Sequence, residues 1–251
     1  MHYKHCFLFA CLISLWLAGR GVADVTADVV KVYDGDTLRV SSGEMVRLLG
    51  INAPEPGGGN RPAEAGGEKA SAFAKQLLHN QTVRLTFDQN KTDRYDRTLA
   101  HVYLPDGQWV NKKLVAAGMA HVYSFPDNRA QITPLLAAEA QARAQKRGIW
   151  ALPRWQIRQA NTCCENKYIG QFHLVEGTIQ RVAWVKGRVY LNFGDNWRTD
   201  FTAEIPAEMV ANFNTIWLRQ LQGQNVRVRG MLKPVNGVLV TLTHPEQIEL
   251  L

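Results

Sequence analysis

The run Asp34-Gly35-Asp36-Thr37 places two carboxylates within one turn, and the run Asn52-Ala53-Pro54-Glu55 adds an amide and a further carboxylate. Arg47 lies between the two runs. Oxygen ligands gathered beside an arginine suit a hard cation together with a phosphate. Each piece alone is ordinary: Asp-Gly-Asp is a common turn, and a single arginine on a strand is commonly a solvated face. The chemistry depends on the pieces meeting. Residues 38–41 and 45–51 are rich in β-formers and Ser42-Gly43 supplies a turn, so the stretch 33–55 reads as a hairpin. A turn centred there sets Asp36 opposite Leu49 and Arg47 opposite Leu38, and brings Asp36 close to Asn52 and Glu55. Alternation sends Val46 and Leu48 to one face and Arg47 to the other, where the acids gather.

A third block, Thr92-Asp93-Arg94-Tyr95-Asp96-Arg97, runs on into Leu99-Ala100-His101-Val102-Tyr103. In this order the three blocks resemble the staphylococcal nuclease (thermonuclease) family, over residues 29–150. The resemblance implies a barrel of the OB type and Ca²⁺-dependent hydrolysis of phosphodiester bonds in DNA and RNA. It implies that Asp36 binds the metal through its carboxylate, with the side-chain oxygen of Asn52 and the backbone carbonyl of Ala53 as further ligands. Glu55 would orient or deprotonate the attacking water. Arg47 and Arg97 would hold the phosphate as charge builds, and guanidinium forks do this better than ammonium groups. Tyr95 would contact the nucleotide or pack. Two positions depart from the family's usual pattern. Asn52 stands where an aspartate is usual, which removes one negative charge and should lower Ca²⁺ affinity. Asp96 stands where a glycine is common; if that position needs a positive φ, Asp tolerates it better than most residues.

The elements that must hold these groups follow from periodicity. Residues 25–33 form a first strand into the hairpin, 57–67 is a loop of Gly and Pro, and 68–79 has helical spacing at Ala70, Phe73, Ala74, Leu77 and Leu78. Residues 82–88 and 97–104 alternate as strands, 110–117 is a short helix, 119–123 is strand-like, and 134–147 is an Ala-rich helix stopped by Gly148. Five strands with about three helices suit a small Greek-key barrel. After a linker at 152–171, strands at 173–184, 188–193, 201–205, 224–231 and 238–242, with a helix at 207–221, repeat the OB order. The architecture expected is mainly β: two tandem OB-fold-like five-stranded barrels at 24–151 and 172–251. The second half is also similar to an accessory domain behind some bacterial nuclease domains, at Leu191-Asn192-Phe193-Gly194 and Asp200-Phe201-Thr202.

Residues 1–23 read as a secretory signal peptide: Lys4, an apolar run at 6–18 too short to span a bilayer, and Gly21-Val22-Ala23 before the cleavage point. Export to the periplasm or medium and no stable membrane span are expected; no protein partner is inferable. The net charge of +7 favours a polyanionic partner. Residues 24–164 carry 18 Lys and Arg against 14 Asp and Glu, while 165–251 carry 9 against 8, so the excess sits with the nuclease-like motifs. In the second barrel, Arg188, Tyr190 and Asn192 share the face opposite Val189, Leu191 and Phe193, and Arg227 and Arg229 alternate outward around Val226 and Val228. Arg188 and Tyr190 are therefore candidate substrate-binding residues, combining a charge with a stacking ring. There is no Ser-His-Asp order, P-loop or dinucleotide-binding glycine pattern, and His79, His101 and His121 lack metal-ligand spacing. Cys163-Cys164 suits a redox or structural role. The competing reading is a nucleic-acid-binding protein of tandem OB barrels with a weakened catalytic site, for which Asn52 and Asp96 speak.

Overall fold

The computed structural model describes residues 24–59, 61–162 and 166–251. The expected signal peptide and the Cys163-Cys164 pair lie outside the described residues. The first half builds β1 (Val25–Val32), β2 (Thr37–Val40), β3 (Met45–Leu48), β4 (Ile51–Asn52), α1 (Gly67–Leu78), β5 (Thr82–Thr86), β6 (Thr98–Tyr103), α2 (Val110–Ala116), β7 (His121–Val122) and α3 (Ile132–Ala144). Five of its strands close a barrel in the order β1-β2-β3-β6-β5, and β4 pairs with β7 beside it. Inward residues of the strands, among them Leu38, Val46, Leu85 and Val102, meet Ala74 and Leu78 of α1, Leu114 of α2 and Leu135 of α3 in one core. The alternation that marks these strands exists because one face of each is buried in that core.

The hairpin register differs from the expected one by a single residue. Thr37 pairs with Arg47 and Leu38 with Val46, so Asp36 lies opposite Leu48, whose N–H donates to the Asp36 carbonyl at 2.9 Å. The turn is centred on Ser42: the Gly43 N–H donates to the Val40 carbonyl at 2.9 Å and the Val40 N–H to the Glu44 carbonyl at 3.1 Å. The run expected as one strand over 45–51 also breaks after Leu48, and residues 49–50 turn the chain into β4.

The second half contains β8 (Arg158–Gln159), β9 (Phe172–Thr178), β10 (Arg181–Val185), β11 (Arg188–Asn192), β12 (Phe201–Ile205), α4 (Thr215–Gln220), β13 (Asn225–Lys233), β14 (Val238–Thr241) and β15 (Ile248–Leu250). They form one sheet ordered β10-β11-β12-β14-β13-β9-β8, with β15 added to β13. Among the described residues this sheet is not closed, so the expectation of a second closed barrel is corrected to an open sheet. The run expected as a single strand over 173–184 is bent. Ile179 bonds toward Gln224 through its N–H at 2.9 Å, while the next residue, Gln180, donates to Asn192 at 2.9 Å. One run therefore serves both ends of the sheet, β9 against β13 and β10 against β11. The helix expected over 207–221 is a 3-10 turn, Ala207–Asn212, followed by the short α4, capped by Asn214.

The two halves touch along a seam. His121 stacks on Phe172 with ring centres 4.1 Å apart, and Trp155 donates its indole N–H to the Ala65 carbonyl at 2.8 Å. Among the described residues no helix is long and apolar enough to cross a membrane.

Candidate active site

Asp36 is the buried centre of the site, 6% exposed. Its Oδ2 accepts the Ala53 N–H at 2.6 Å and pairs with Arg47 Nη2 at 3.1 Å, and its Oδ1 accepts the Thr37 hydroxyl at 3.1 Å. The turn beneath it is tied by Asp34, whose Oδ1 accepts the Asp36 N–H at 2.9 Å. Gly35 lets this turn lie against Ala53: a Cβ there would come 2.4 Å from the Ala53 Cβ. Burial pushes the Asp36 carboxyl up to about 6, with the neighbouring Asp34 charge adding to the effect and Arg47 and the hydrogen bonds opposing it.

Arg47 reaches from β3 across to β4. Its Nη1 donates to the carbonyls of Leu48 and Ile51, each at 3.0 Å, and its Nη2 donates to Asn52 Oδ1 at 2.8 Å. The guanidinium is thereby fixed in plane between Asp36 and Asn52. Ala53 lies buried behind them, its carbonyl accepting a long 3.4 Å contact from Asn52 Nδ2.

Glu55 follows on the exposed rim. Its N–H donates to Glu64 Oε2 at 3.1 Å, and its carbonyl accepts the Glu64 N–H at 2.9 Å. The first residue of α1 passes close behind this turn: a Cβ on Gly67 would stand 1.9 Å from the Glu55 carbonyl oxygen, so only glycine allows the approach. The Glu55 carboxyl is raised above its ordinary value by burial first, then by Asp34 and Glu64, against Arg47 and Arg61.

Arg97 comes from the loop between β5 and β6. Asp93 grips it through Nε at 2.7 Å and Nη2 at 2.6 Å, and also accepts its backbone N–H at 3.1 Å. Burial acts to raise the Asp93 carboxyl, but the bonds from Arg97 and the Tyr95 N–H outweigh it and hold it below the usual range. Asp96 has φ of 59°, the left-handed conformation that its short polar side chain tolerates. Tyr95 is 64% exposed, stacked under Arg94 at 4.8 Å and receiving that residue's Nη2 on its hydroxyl at 2.8 Å.

Asp36, Arg47, Asn52, Glu55, Tyr95 and Arg97 all line a single open cleft of about 590 Å³. Asp34, Asp93, Tyr123 and Phe125 line it too; Asp34 and Asp93 stand in the quoted runs without an assigned role, and Tyr123 and Phe125 are not singled out by the sequence. For Asp93 a signal exists, since it precedes Arg97 by one i,i+4 step within the third block. For Tyr123 and Phe125 only the β4–β7 pairing brings the 121–125 stretch to the cleft.

The second-half candidates lie elsewhere. Arg188 Nη1 donates to Glu204 Oε1 at 2.5 Å and the Tyr190 hydroxyl donates to the same oxygen at 3.3 Å, on the open sheet away from the cleft. Arg227 and Arg229 do not point outward to solvent. Arg227 pairs with Glu176 and Glu249, and Arg229 is 2% exposed against Glu139 and Glu249. Alternation assigns them to the face opposite Val226 and Val228, and that face is covered by α3 and β7 of the barrel. His101 and His121 are buried and their imidazoles are pushed down by burial, to about 4 and about 3, so both are neutral packing groups.

Residues 45–152 match the family model described as staphylococcal nuclease homologue. A thermonuclease of Staphylococcus hyicus is 36% identical over 129 residues, covering 50% of this chain and 76% of its own length. A thermonuclease of Staphylococcus intermedius is 40% identical over 127 residues, 49% of this chain and 74% of its own. An uncharacterized endonuclease of Escherichia coli is 39% identical over 140 residues, 53% of this chain and 84% of its own. All three matches cover about half of this chain, and with them the chain belongs to the staphylococcal nuclease homologue family.

Proposed function

We propose that the protein is an exported nuclease that hydrolyses phosphodiester bonds of DNA and RNA with calcium. The observation that carries the reading is one cleft lined both by Arg47 and Arg97, each gripped by an aspartate, and by the carboxylates of Asp36 and Glu55. The proposed parts are a signal peptide over 1–23, a catalytic domain over 24–151, a linker over 152–171 and an accessory domain over 172–251. Removal of the leader would leave Asp24 at the N-terminus, which mass spectrometry of the exported protein tests.

Asp36, Asn52 and the Ala53 carbonyl would hold the calcium ion. The donor set is all oxygen, as a hard cation requires. A buried carboxyl pushed up to about 6 is also one that a cation would stabilise in its charged form. Among the described residues no three His, Cys, Asp or Glu side chains converge as a metal cluster, so amide and carbonyl oxygens must complete the shell. When bound, the ion supplies positive charge against the charge building on the phosphoryl oxygens.

The remaining work falls to the chain. Arg47 and Arg97 donate to the phosphate. Arg47, whose two Nη groups are engaged by Leu48, Ile51, Asn52 and Asp36, offers its Nε–H or exchanges one of those bonds. Arg97 offers the N–H groups that Asp93 leaves. Glu55 orients the water and takes its proton; a carboxyl raised above its ordinary value is the stronger base. Tyr95, exposed at the mouth, stacks on the nucleotide. On the second sheet, Arg188 and Tyr190 extend the contact with single strands.

The specific observation for a weaker, binding-only protein is that Asn52 offers no charge and its oxygen is already held by Arg47. Digestion of plasmid DNA, single-stranded DNA and RNA by purified protein separates the readings. Cleavage with Ca²⁺ that chelator stops supports the nuclease; tight binding without cleavage supports the alternative.

A further inference from the structure

The seam between the barrel and the second sheet encloses a set of charges. Arg229 on β13 is 2% exposed; its Nη2 donates to Glu139 Oε2 at 2.8 Å and to Glu249 Oε1. Glu139, on α3, is fully buried. Arg143 and Arg227 each donate to Glu249 Oε2 at 2.7 Å, and Arg227 also pairs with Glu176. Arg229 is the closest guanidinium to the Glu139 carboxylate in this set, since Arg143 Nε stands 3.9 Å away.

The second oxygen of Glu139 faces the barrel. Oε1 accepts the N–H of Val122 at 2.7 Å. Val122 pairs with Ile51 and His121 with Asn52, while the Tyr123 N–H donates to the Gly50 carbonyl at 3.0 Å. The Ile51 carbonyl and Asn52 Oδ1 are two of the acceptors that seat Arg47. Short polar contacts and one strand pairing therefore link Arg229 in the second half to Arg47 in the cleft.

We infer that Arg229 is a positioning residue for the cleft: by neutralising Glu139 it secures the bond to Val122, and through β7 and β4 the seat of Arg47. Without Arg229, Glu139 keeps only the 3.9 Å contact to Arg143, and a buried carboxylate so weakly paired turns toward water, which disturbs its remaining bonds. The functional half of this inference rests on the nuclease reading; the structural half does not. It also gives the accessory half a role that needs no contact with substrate.

The test uses the full-length protein and two variants. Arg229→Met should speed amide exchange in the 119–124 segment about tenfold and lower kcat about 10–100-fold, the penalty of ångström-scale misplacement, with KM changed less. Arg229→Met with Glu139→Gln removes both charges and keeps an acceptor for Val122, so exchange and kcat should return to within about threefold of the parent. A single variant that exchanges and turns over like the parent overturns the inference. So does a double variant as impaired as the single, which would make Arg229 a docking contact only. Should the single variant not fold, an active double variant upholds the link and an unfolded one overturns it. Should the parent cleave no nucleic acid, the nuclease reading falls, and exchange at 119–124 alone decides the structural half.

Discussion

Arg47 Nη2 donates to Asn52 Oδ1 at 2.8 Å, so the one side-chain oxygen offered where a carboxylate is usual is already held by the arginine beside it. Asn52→Asp adds a formal charge next to Asp36 and strengthens both the pairing to Arg47 and the attraction for a divalent ion. A unit charge within a few ångströms of a divalent ion near a protein surface is worth several kcal/mol before desolvation, so calcium half-saturation of activity should fall about tenfold. A calcium titration of parent and variant measures this. Unchanged or weaker half-saturation in the variant would mean that position 52 does not face the metal.

Asp36 is held at a structural disadvantage. Its folded value of about 6 lies above the ordinary 3.8, so between these values the folded protein binds a proton that the unfolded chain does not. By linkage, the stability due to this group falls as pH rises from about 4 to about 6, and the loss is complete above that. The span from 3.8 to about 6 corresponds to as much as about 3 kcal/mol. Asp36→Asn should therefore raise the Tm in chelator near neutral pH while abolishing activity. In the parent, activity should fall as pH drops through about 6. A variant with lower Tm at neutral pH and no gain on the parent would show that the buried charge is fully compensated.

Asp93 should act through Arg97. It grips the guanidinium by Nε and Nη2, both through the single oxygen Oδ2. Arg97→Ala should lower turnover by about 3–4 kcal/mol, the loss of one transition-state donor. Asp93→Ala should lower it less, and the double variant should be no worse than Arg97→Ala alone, because residues acting as a unit are not additive. Fully additive losses in kcat would assign Asp93 an independent role.

Much of this site is legible in the chain because the groups sit on strands and turns whose patterns are local. Val46 and Leu48 mark the buried face of β3, and Arg47 must then lie on the other. Asp96 takes the left-handed conformation that an Asp in such a turn tolerates. What is not legible depends on contacts between distant segments. The one-residue register shift comes from hydrogen bonds of the turn around Ser42, which composition does not reveal. Arg229 looks like an outward arginine in its own strand, yet Glu139 sits 90 residues away in sequence and covers it. The bend at Ile179 and Gln180 divides one expected strand between two partners, β13 and β11, which only the long-range pairing reveals.

On that sheet, Arg188 and Tyr190 are both held by Glu204. If they extend substrate contact, Arg188→Ala with Tyr190→Ala should weaken binding of a single-stranded oligonucleotide, in chelator at low salt, by about 1–3 kcal/mol, the worth of one stacked base. Fluorescence anisotropy measures it. Equal affinity for parent and variant would remove the second sheet from substrate binding.

The central claim, hydrolysis of phosphodiester bonds in the Asp36–Arg47–Glu55–Arg97 cleft, is tested most directly at Glu55. Its side chain is exposed at the rim, so Glu55→Gln alters the proton acceptor with little demand on the fold. Cleavage of an end-labelled DNA strand should be followed for parent and variant, with Ca²⁺ present and again with chelator. The account predicts cleavage by the parent in Ca²⁺ alone and a loss of about 100-fold or more in the variant, the scale of a general base. A variant that cuts at the parent's rate, or a parent that cuts nothing in either condition, would contradict it.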